Sequence, residues 1–232
     1  MREVVIFTAV MRILIVCATP GEAGFSGEKS GLLIGEACRL QLFTHTIDVL
    51  VTGVGMVATA YHLGRRFVNE QYDLAVNIGI CGAFDKSLIG KTVNVKQDCF
   101  ADFGAENNDE FIDIFQTGLM NPDQFPFTKG WLFTDDLYSN KFLKKLQEVK
   151  GISVNKTSGN EQTILKLRNK YNADVESMEG ASFIYCCQMN KTPCMQIRGV
   201  SNLIEKRNKN NWQMDAAIKS LDESVKLLIE DL

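Results

Sequence analysis

The stretch Asp48-Val49-Leu50-Val51-Thr52-Gly53-Val54-Gly55-Met56-Val57-Ala58-Thr59-Ala60-Tyr61-His62 decides the fold class. A short apolar run ends in a glycine turn, and the residues from Met56 to Glu70 then have the length and composition of a helix. A buried strand that turns directly into a helix is the building unit of a sheet covered by helices. The same change of pattern recurs along the chain. Strands are expected at Arg12–Ala18, Arg39–His45, Asp48–Thr52, Leu74–Asn77, Thr92–Ala101, Ile152–Thr157 and Cys194–Val200. Helices are expected at Met56–Glu70, Ser139–Val149, Glu161–Lys170, Met178–Met189 and Asn211–Leu232. In the last of these Ile218, Leu221, Val225, Leu228, Ile229 and Leu232 form one apolar stripe that should dock on the sheet. The expected fold is α/β. Phe103–Gly130 fits neither template and is expected to form a loop over the functional site.

With 232 residues the chain suits one domain. Met11-Arg12-Ile13-Leu14-Ile15-Val16 is itself a plausible start, so residues 1–10 are read as an N-terminal extension and 11–232 as the domain. The 25 basic and 28 acidic residues nearly balance, which argues against a nucleic-acid partner, since such binding needs a marked basic excess. No apolar run approaches the roughly 20 residues of a membrane span, so no membrane partner is expected either. Seven cysteines without a C-x-x-C spacing read as free thiols in a reducing compartment, and the protein is expected to be cytoplasmic. Only His45 and His62 are present, which excludes a multi-histidine metal site. Neither a metal nor an organic cofactor is expected, and the chemistry must rest on carboxylates, amides and backbone.

Gly53-Val54-Gly55-Met56-Val57-Ala58 matches a dinucleotide-binding fingerprint on paper. The acid that should end the following strand and hold the ribose is missing, because Asp73 precedes that strand. The strand from Leu74 runs instead into Gly79-Ile80-Cys81-Gly82, read as a second glycine turn where backbone approaches a flat ligand. Glu176-Ser177-Met178-Glu179-Gly180 opens an apolar helix. Its carboxylates are either favourable partners of the helix dipole or, for Glu179, a grip on a vicinal diol. The strand Met195–Val200 ends in Ser201-Asn202, and Glu22 follows the first strand; both belong to the carboxyl edge of the sheet, where α/β proteins place ligands.

The ordered set Glu22, Gly53-Val54-Gly55, Gly79-Ile80-Cys81-Gly82, Ser177-Met178-Glu179-Gly180 and Ile197-Arg198-Gly199-Val200-Ser201-Asn202 resembles the purine nucleoside phosphorylase and nucleosidase superfamily. Within it the pattern looks most like the futalosine hydrolase branch. The features that carry this are Thr59-Ala60-Tyr61-His62, Phe100-Ala101-Asp102-Phe103-Gly104, Glu176-Ser177-Met178-Glu179, and Ser201-Asn202 continuing to Arg207-Asn208 and Trp212. The resemblance implies a nucleoside phosphorylase-like single domain, a central mixed twisted β-sheet flanked by helices, assembled as a homodimer or larger homo-oligomer. It also implies a small-molecule nucleoside substrate.

Two departures shape the expected chemistry. Phosphorylases of the superfamily place a serine where this chain has Ile80, so water is the expected nucleophile. Methylthioadenosine nucleosidases end the late strand in Ser-Asp, whereas this chain has Asn202, whose amide cannot supply a proton but can donate hydrogen bonds to N7 and O6 of a departing 6-oxopurine. The resemblance then makes Glu22 and Asn202 the catalytic pair. Glu22 orients or deprotonates water, Glu179 and Met178 hold the sugar, Ile80, Cys81 and Gly82 line the base, and Ser201 positions the amide. For the benzoate-bearing tail of such a substrate it points to Phe100, Phe103, Trp131 and Phe133, with Arg207 or Lys209 supplying positive charge.

Overall fold

The computed structural model describes residues 10–26, 32–138 and 140–232. The strands are β1 (Arg12–Cys17), β2 (Ala37–Leu42), β3 (His45–Val51), β4 (Leu74–Ala83), β5 (Thr92–Asp98), β6 (Gly104–Asn107), β7 (Glu110–Asp113), β8 (Leu132–Phe133), β9 (Gln147–Ser153), β10 (Val175–Ser177) and β11 (Cys194–Leu203). The helices are α1 (Met56–Asn69), α2 (Glu161–Tyr171), α3 (Gly180–Met189) and α4 (Met214–Glu230). The extension expected over residues 1–10 lies outside the described residues except for Val10.

The main sheet runs β10-β9-β5-β11-β4-β1-β3-β2, with β8 on β5 and a further pairing of β10 with β4 that closes one end of the sheet on itself. It is mixed, as expected. β1 is parallel to β3 and β4, β4 to β11 and β10 to β9, while the β2–β3, β10–β4 and β5–β11 contacts are antiparallel. Alternation along β1 explains how it is covered on both faces. Ile13, Ile15 and Cys17 join Leu221, Val225, Leu228 and Ile229 of α4 on one side. Leu14 and Val16 join Leu63 of α1 and Phe183, Ile184 and Cys187 of α3 on the other. The apolar stripe of α4 therefore docks as its spacing foretold.

Four expectations need correction. No helix forms over residues 140–149. Leu143–Lys145 makes one 3-10 turn and β9 begins at Gln147, because Val149 and Ile152 are claimed by pairing with β5 and β10; Ser139 lies outside the described residues. Gly79–Gly82 is not a turn but the second half of β4, which continues to Ala83. Glu176 belongs to β10 rather than to a helix. Phe103–Gly130 is not wholly irregular, since Gly104–Asn107 and Glu110–Asp113 form an exposed hairpin. Behind it Phe115 stacks edge-on against Phe127, which packs on Tyr185 of α3.

Candidate active site

The carboxyl ends of β1, β4 and β11 converge with β10 and the amino ends of α1 and α3. Glu22 lies in the 3-10 segment Pro20–Ser26 that follows β1, and its side chain folds back under the sheet edge. One oxygen accepts from the Ile80 N–H at 3.0 Å; the other accepts from the N–H of Thr19 at 2.9 Å and its hydroxyl at 3.1 Å. Glu179 immediately precedes α3 without capping it through its side chain; instead its Oε1 accepts from the Gly55 N–H at 3.0 Å, tying the first glycine turn to the third helix.

Between these carboxylates stands Arg198, 1% exposed, in the middle of β11. Its Nη1 is 3.8 Å from Glu179 Oε2, and its Nη2 donates to Asn77 Oδ1, whose own amide donates to the Val16 carbonyl at 3.0 Å. Its Nε has no hydrogen-bond partner among the described residues. Gly79 is what admits this arrangement, since a Cβ there would collide with Arg198 Nη1 and with Glu22 Oε1. The glycine run is thus a clearance within a strand.

The electrostatics follow from that packing. Burial drives the Glu22 carboxyl above its ordinary value, and the neighbouring Glu179 pushes the same way. The Ile80 and Thr19 N–H groups and Arg198 hold it down in part. A buried carboxylate poised above its usual range is a competent proton acceptor from water. Cys81 is pushed up to about 12 by burial, so it stays a neutral thiol. Asp98, beneath α3, rises to about 6 by burial, offset by hydrogen bonds from Gln196 and Ser153 and by Arg198.

At the far side, β11 carries a bulge between Val200 and Asn202. Bulges re-aim side chains. The Ser201 hydroxyl faces the Cys81 carbonyl at 3.1 Å and Asn202 Oδ1 at 2.8 Å, while Asn202 Nδ2 donates to the Leu203 carbonyl at 2.8 Å. Asn202 lines a pocket with Gly82, Ser158, Glu176, Arg207 and Trp212.

Glu22 is therefore bonded to Ile80 and Arg198 paired with Glu179, and Arg198 and Glu22 meet beside Gly79. Cys81, Gly82, Ser201 and Asn202 continue the same edge, and half-buried Met178 precedes Glu179. The aromatic residues named for the tail do not form one wall. Phe100 and Phe103 are neighbours at 6.3 Å, whereas Trp131 packs on Tyr171 and Phe133 is exposed at the surface. Arg207 lies over Trp212 at 5.2 Å beside Asn202, and Lys209 is exposed. His45 accepts from the Met11 N–H at 3.1 Å, and His62 packs against Gly35, both away from this edge. Arg198 carried no role on sequence grounds, and Glu176 only that of a helix-dipole partner. A lone arginine inside the apolar run Met195–Val200 was the available signal for the first. Among the described residues, no helix is long and apolar enough to cross a membrane, and no three His, Cys, Asp or Glu side chains gather as a metal-holding group.

The family model of the phosphorylase superfamily matches residues 12–230. The chain is similar to the futalosine hydrolase of Thermus thermophilus, 25% identical over 223 residues that cover 94% of this chain and 95% of that protein. It is 27% identical over 189 residues to the futalosine hydrolase of Acidothermus cellulolyticus, covering 78% and 74%. Among solved structures, Helicobacter pylori 5'-methylthioadenosine/S-adenosylhomocysteine nucleosidase superposes with a TM-score of 0.79 at 18% identity, covering 97% of this chain and 100% of that one. Helicobacter pylori futalosine hydrolase superposes with 0.78 at 17% identity, covering 96% and 99%. These superpositions establish the fold.

Proposed function

The chain belongs to the phosphorylase superfamily, and from that premise we propose that it is an N-glycosyl hydrolase that cleaves futalosine to hypoxanthine and dehypoxanthine futalosine, a step in menaquinone biosynthesis. The observation that carries this reading is the Glu22 carboxylate, buried and raised, held by the Ile80 N–H beside Arg198 and Glu179. Breaking the N-glycosidic bond leaves positive charge on the sugar and pushes an electron pair onto the purine. Two carboxylates against one guanidinium favour the cation. Glu22 accepts the proton of the attacking water. Glu179, with one oxygen on Gly55 N–H, keeps lone pairs for the ribose hydroxyls. Asn202 donates to N7 or O6 as negative charge builds on the base.

Ile80 supplies a backbone N–H to Glu22 and no side-chain hydroxyl, which supports water over phosphate as nucleophile. The similarity to two futalosine hydrolases over most of the chain supports the substrate. The exposed Val57, Tyr61 and Val68 on α1 support a homo-oligomer, to be read by sedimentation. The protein is further proposed to act in the cytoplasm without a cofactor. The test is release of free base from futalosine, methylthioadenosine and inosine, each with and without phosphate. Phosphate-independent hypoxanthine from futalosine is expected. Adenine-only release would replace this reading with a methylthioadenosine/S-adenosylhomocysteine nucleosidase, and strict phosphate dependence with a purine nucleoside phosphorylase.

A further inference from the structure

Asp98 is a fully buried carboxylate that the proposed chemistry does not use. It ends β5, and Ser153, equally buried, ends the parallel neighbour β9. Both lie under the first turn of α3. Asp98 Oδ1 accepts from the Ser153 hydroxyl at 3.0 Å, Asp98 Oδ2 accepts from Gln196 Nε2 at 2.9 Å, and Ser153 Oγ in turn accepts from the Ala181 N–H at 2.8 Å. Two glycines make room for the carboxylate. A Cβ on Gly151 would stand 2.9 Å from Asp98 Oδ2, and one on Gly180 would strike the same oxygen and the Gln196 amide. The start of α3 is seated directly on this pair.

The seat bears on where Glu179 points. A polar side chain that precedes a helix ordinarily turns onto its own helix and accepts from the N–H two or three residues on. For Glu179 those donors belong to Ala181 and Ser182. The Ala181 N–H is already taken by Ser153, and the Gly180 N–H by Ser177 Oγ at 3.3 Å. The Glu179 side chain makes no bond to α3, and its Oε1 reaches the Gly55 N–H instead. The sense of the Ser153 bonds depends on Asp98. An ionised carboxylate only accepts, so the one hydroxyl proton goes to Asp98 and the lone pairs are left for Ala181.

We propose that Asp98 and Ser153 are positioning residues that occupy the Ala181 N–H, so that the Glu179 carboxylate stays off its own helix and turned toward Gly55 and the sugar. The proposal rests on the reading of Glu179 as the carboxylate that meets the sugar. Without Ser153 the Ala181 N–H is a buried donor with no partner, and the carboxylate two residues before it is drawn back to satisfy it. The device needs an acceptor at Asp98 rather than a charge. In Asp98→Asn, Oδ1 still accepts from Ser153, and Nδ2 meets Gln196 Oε1, which has no partner among the described residues, once that amide turns over.

The test follows hydrogen exchange at the Gly55 amide by NMR of the full chain, together with single-turnover base release from futalosine. Ser153→Ala should speed exchange at Gly55 by about 10-fold or more, as Glu179→Ala does, the worth of a hydrogen bond to a charged group. It should slow base release by about 10- to 100-fold, but by less than about threefold when added to Glu179→Ala. Asp98→Ala should act in the same direction, and Asp98→Asn should recover most of what Asp98→Ala loses. Exchange that quickens along α3 while Gly55 keeps its wild-type protection, a kinetic loss that repeats in full on Glu179→Ala, or an Asp98→Asn protein no better than Asp98→Ala overturns the proposal. If Asp98→Ala does not fold, Ser153→Ala decides alone. Gly55 exchange that depends on Ser153, in a protein that cleaves no futalosine, would sink the substrate reading and leave this one standing.

Discussion

Two clusters of carboxylates and arginines, each built on a buried carboxylate, lie in this domain, and they are neutralised to opposite extents. At the C-terminal end of α1, Asp48 accepts from Arg12, Arg39, Arg66 and the Tyr72 hydroxyl at 2.7–3.0 Å, and Glu70 pairs with the same arginines. Three guanidiniums face two carboxylates. Although burial alone would raise it, hydrogen bonds from these partners hold Asp48 well below the ordinary carboxylate range. At the sheet's carboxyl edge one guanidinium faces Glu22 and Glu179, and Glu22 is displaced upward. At α1 charge is over-matched, whereas at the edge where the proposed reaction forms a cation a carboxylate is left under-compensated. On the proposed function, the same residue types serve stability in one place and chemistry in the other.

The largest effect should come from breaking the first cluster. Asp48→Asn leaves three guanidiniums without their shared acceptor and should cost about 3–5 kcal/mol in urea unfolding, while kcat/KM of the folded fraction changes by less than about threefold. A comparable loss of activity would mean that the two clusters are not separate in function. Glu179→Gln should do the reverse, lowering kcat/KM by about 10²-fold or more with little change in the unfolding midpoint.

The pH dependence of stability separates them further. Asp48 is lowered in the folded state, so its contribution is present above the unfolded value near 3.8 and is lost as pH falls below it. Asp98, which draws on Arg198, is raised to about 6. The folded state then binds the extra proton, and stability falls as pH rises from about 4 through 6, by an order of 2–3 kcal/mol. Asp98→Asn should flatten that decline in urea titrations; a decline of the same size in the variant would assign it elsewhere. The smallest effect is kinetic. Because Glu22 must be ionised to accept a proton and is raised, the acid limb of kcat/KM should lie above the ordinary glutamate range near 4.5.

Elements with long, one-sided patterns were legible in the sequence. α4 shows its stripe over four turns, and β1 and β4 show runs that only a doubly covered strand tolerates. Two kinds of element were not. β10 has three residues, too few for alternation to register. The segment 140–149 carries Phe142, Leu143 and Leu146 at helical spacing, but those residues pack under α4 while the backbone beyond them is taken by β5 and β10. The candidate site was legible as an ordered set of short motifs, and the structure brings both carboxylates and the Ser201-Asn202 pair to one edge of the sheet. Its organising cation was not, since Arg198 acts through a contact that Gly79 permits from a neighbouring strand. Glu176 was hidden for a similar reason: only the register shows that it and Asn202 flank the same glycine.

The claim that the uncompensated carboxylate at the sheet edge does the chemistry is tested most directly on Glu22→Gln. Single-turnover release of hypoxanthine from futalosine, in phosphate-free buffer, should be slower than in the wild type by about 10²–10⁴-fold, with substrate affinity and unfolding midpoint nearly unchanged. Release at the wild-type rate by a folded, substrate-binding Glu22→Gln protein would contradict it.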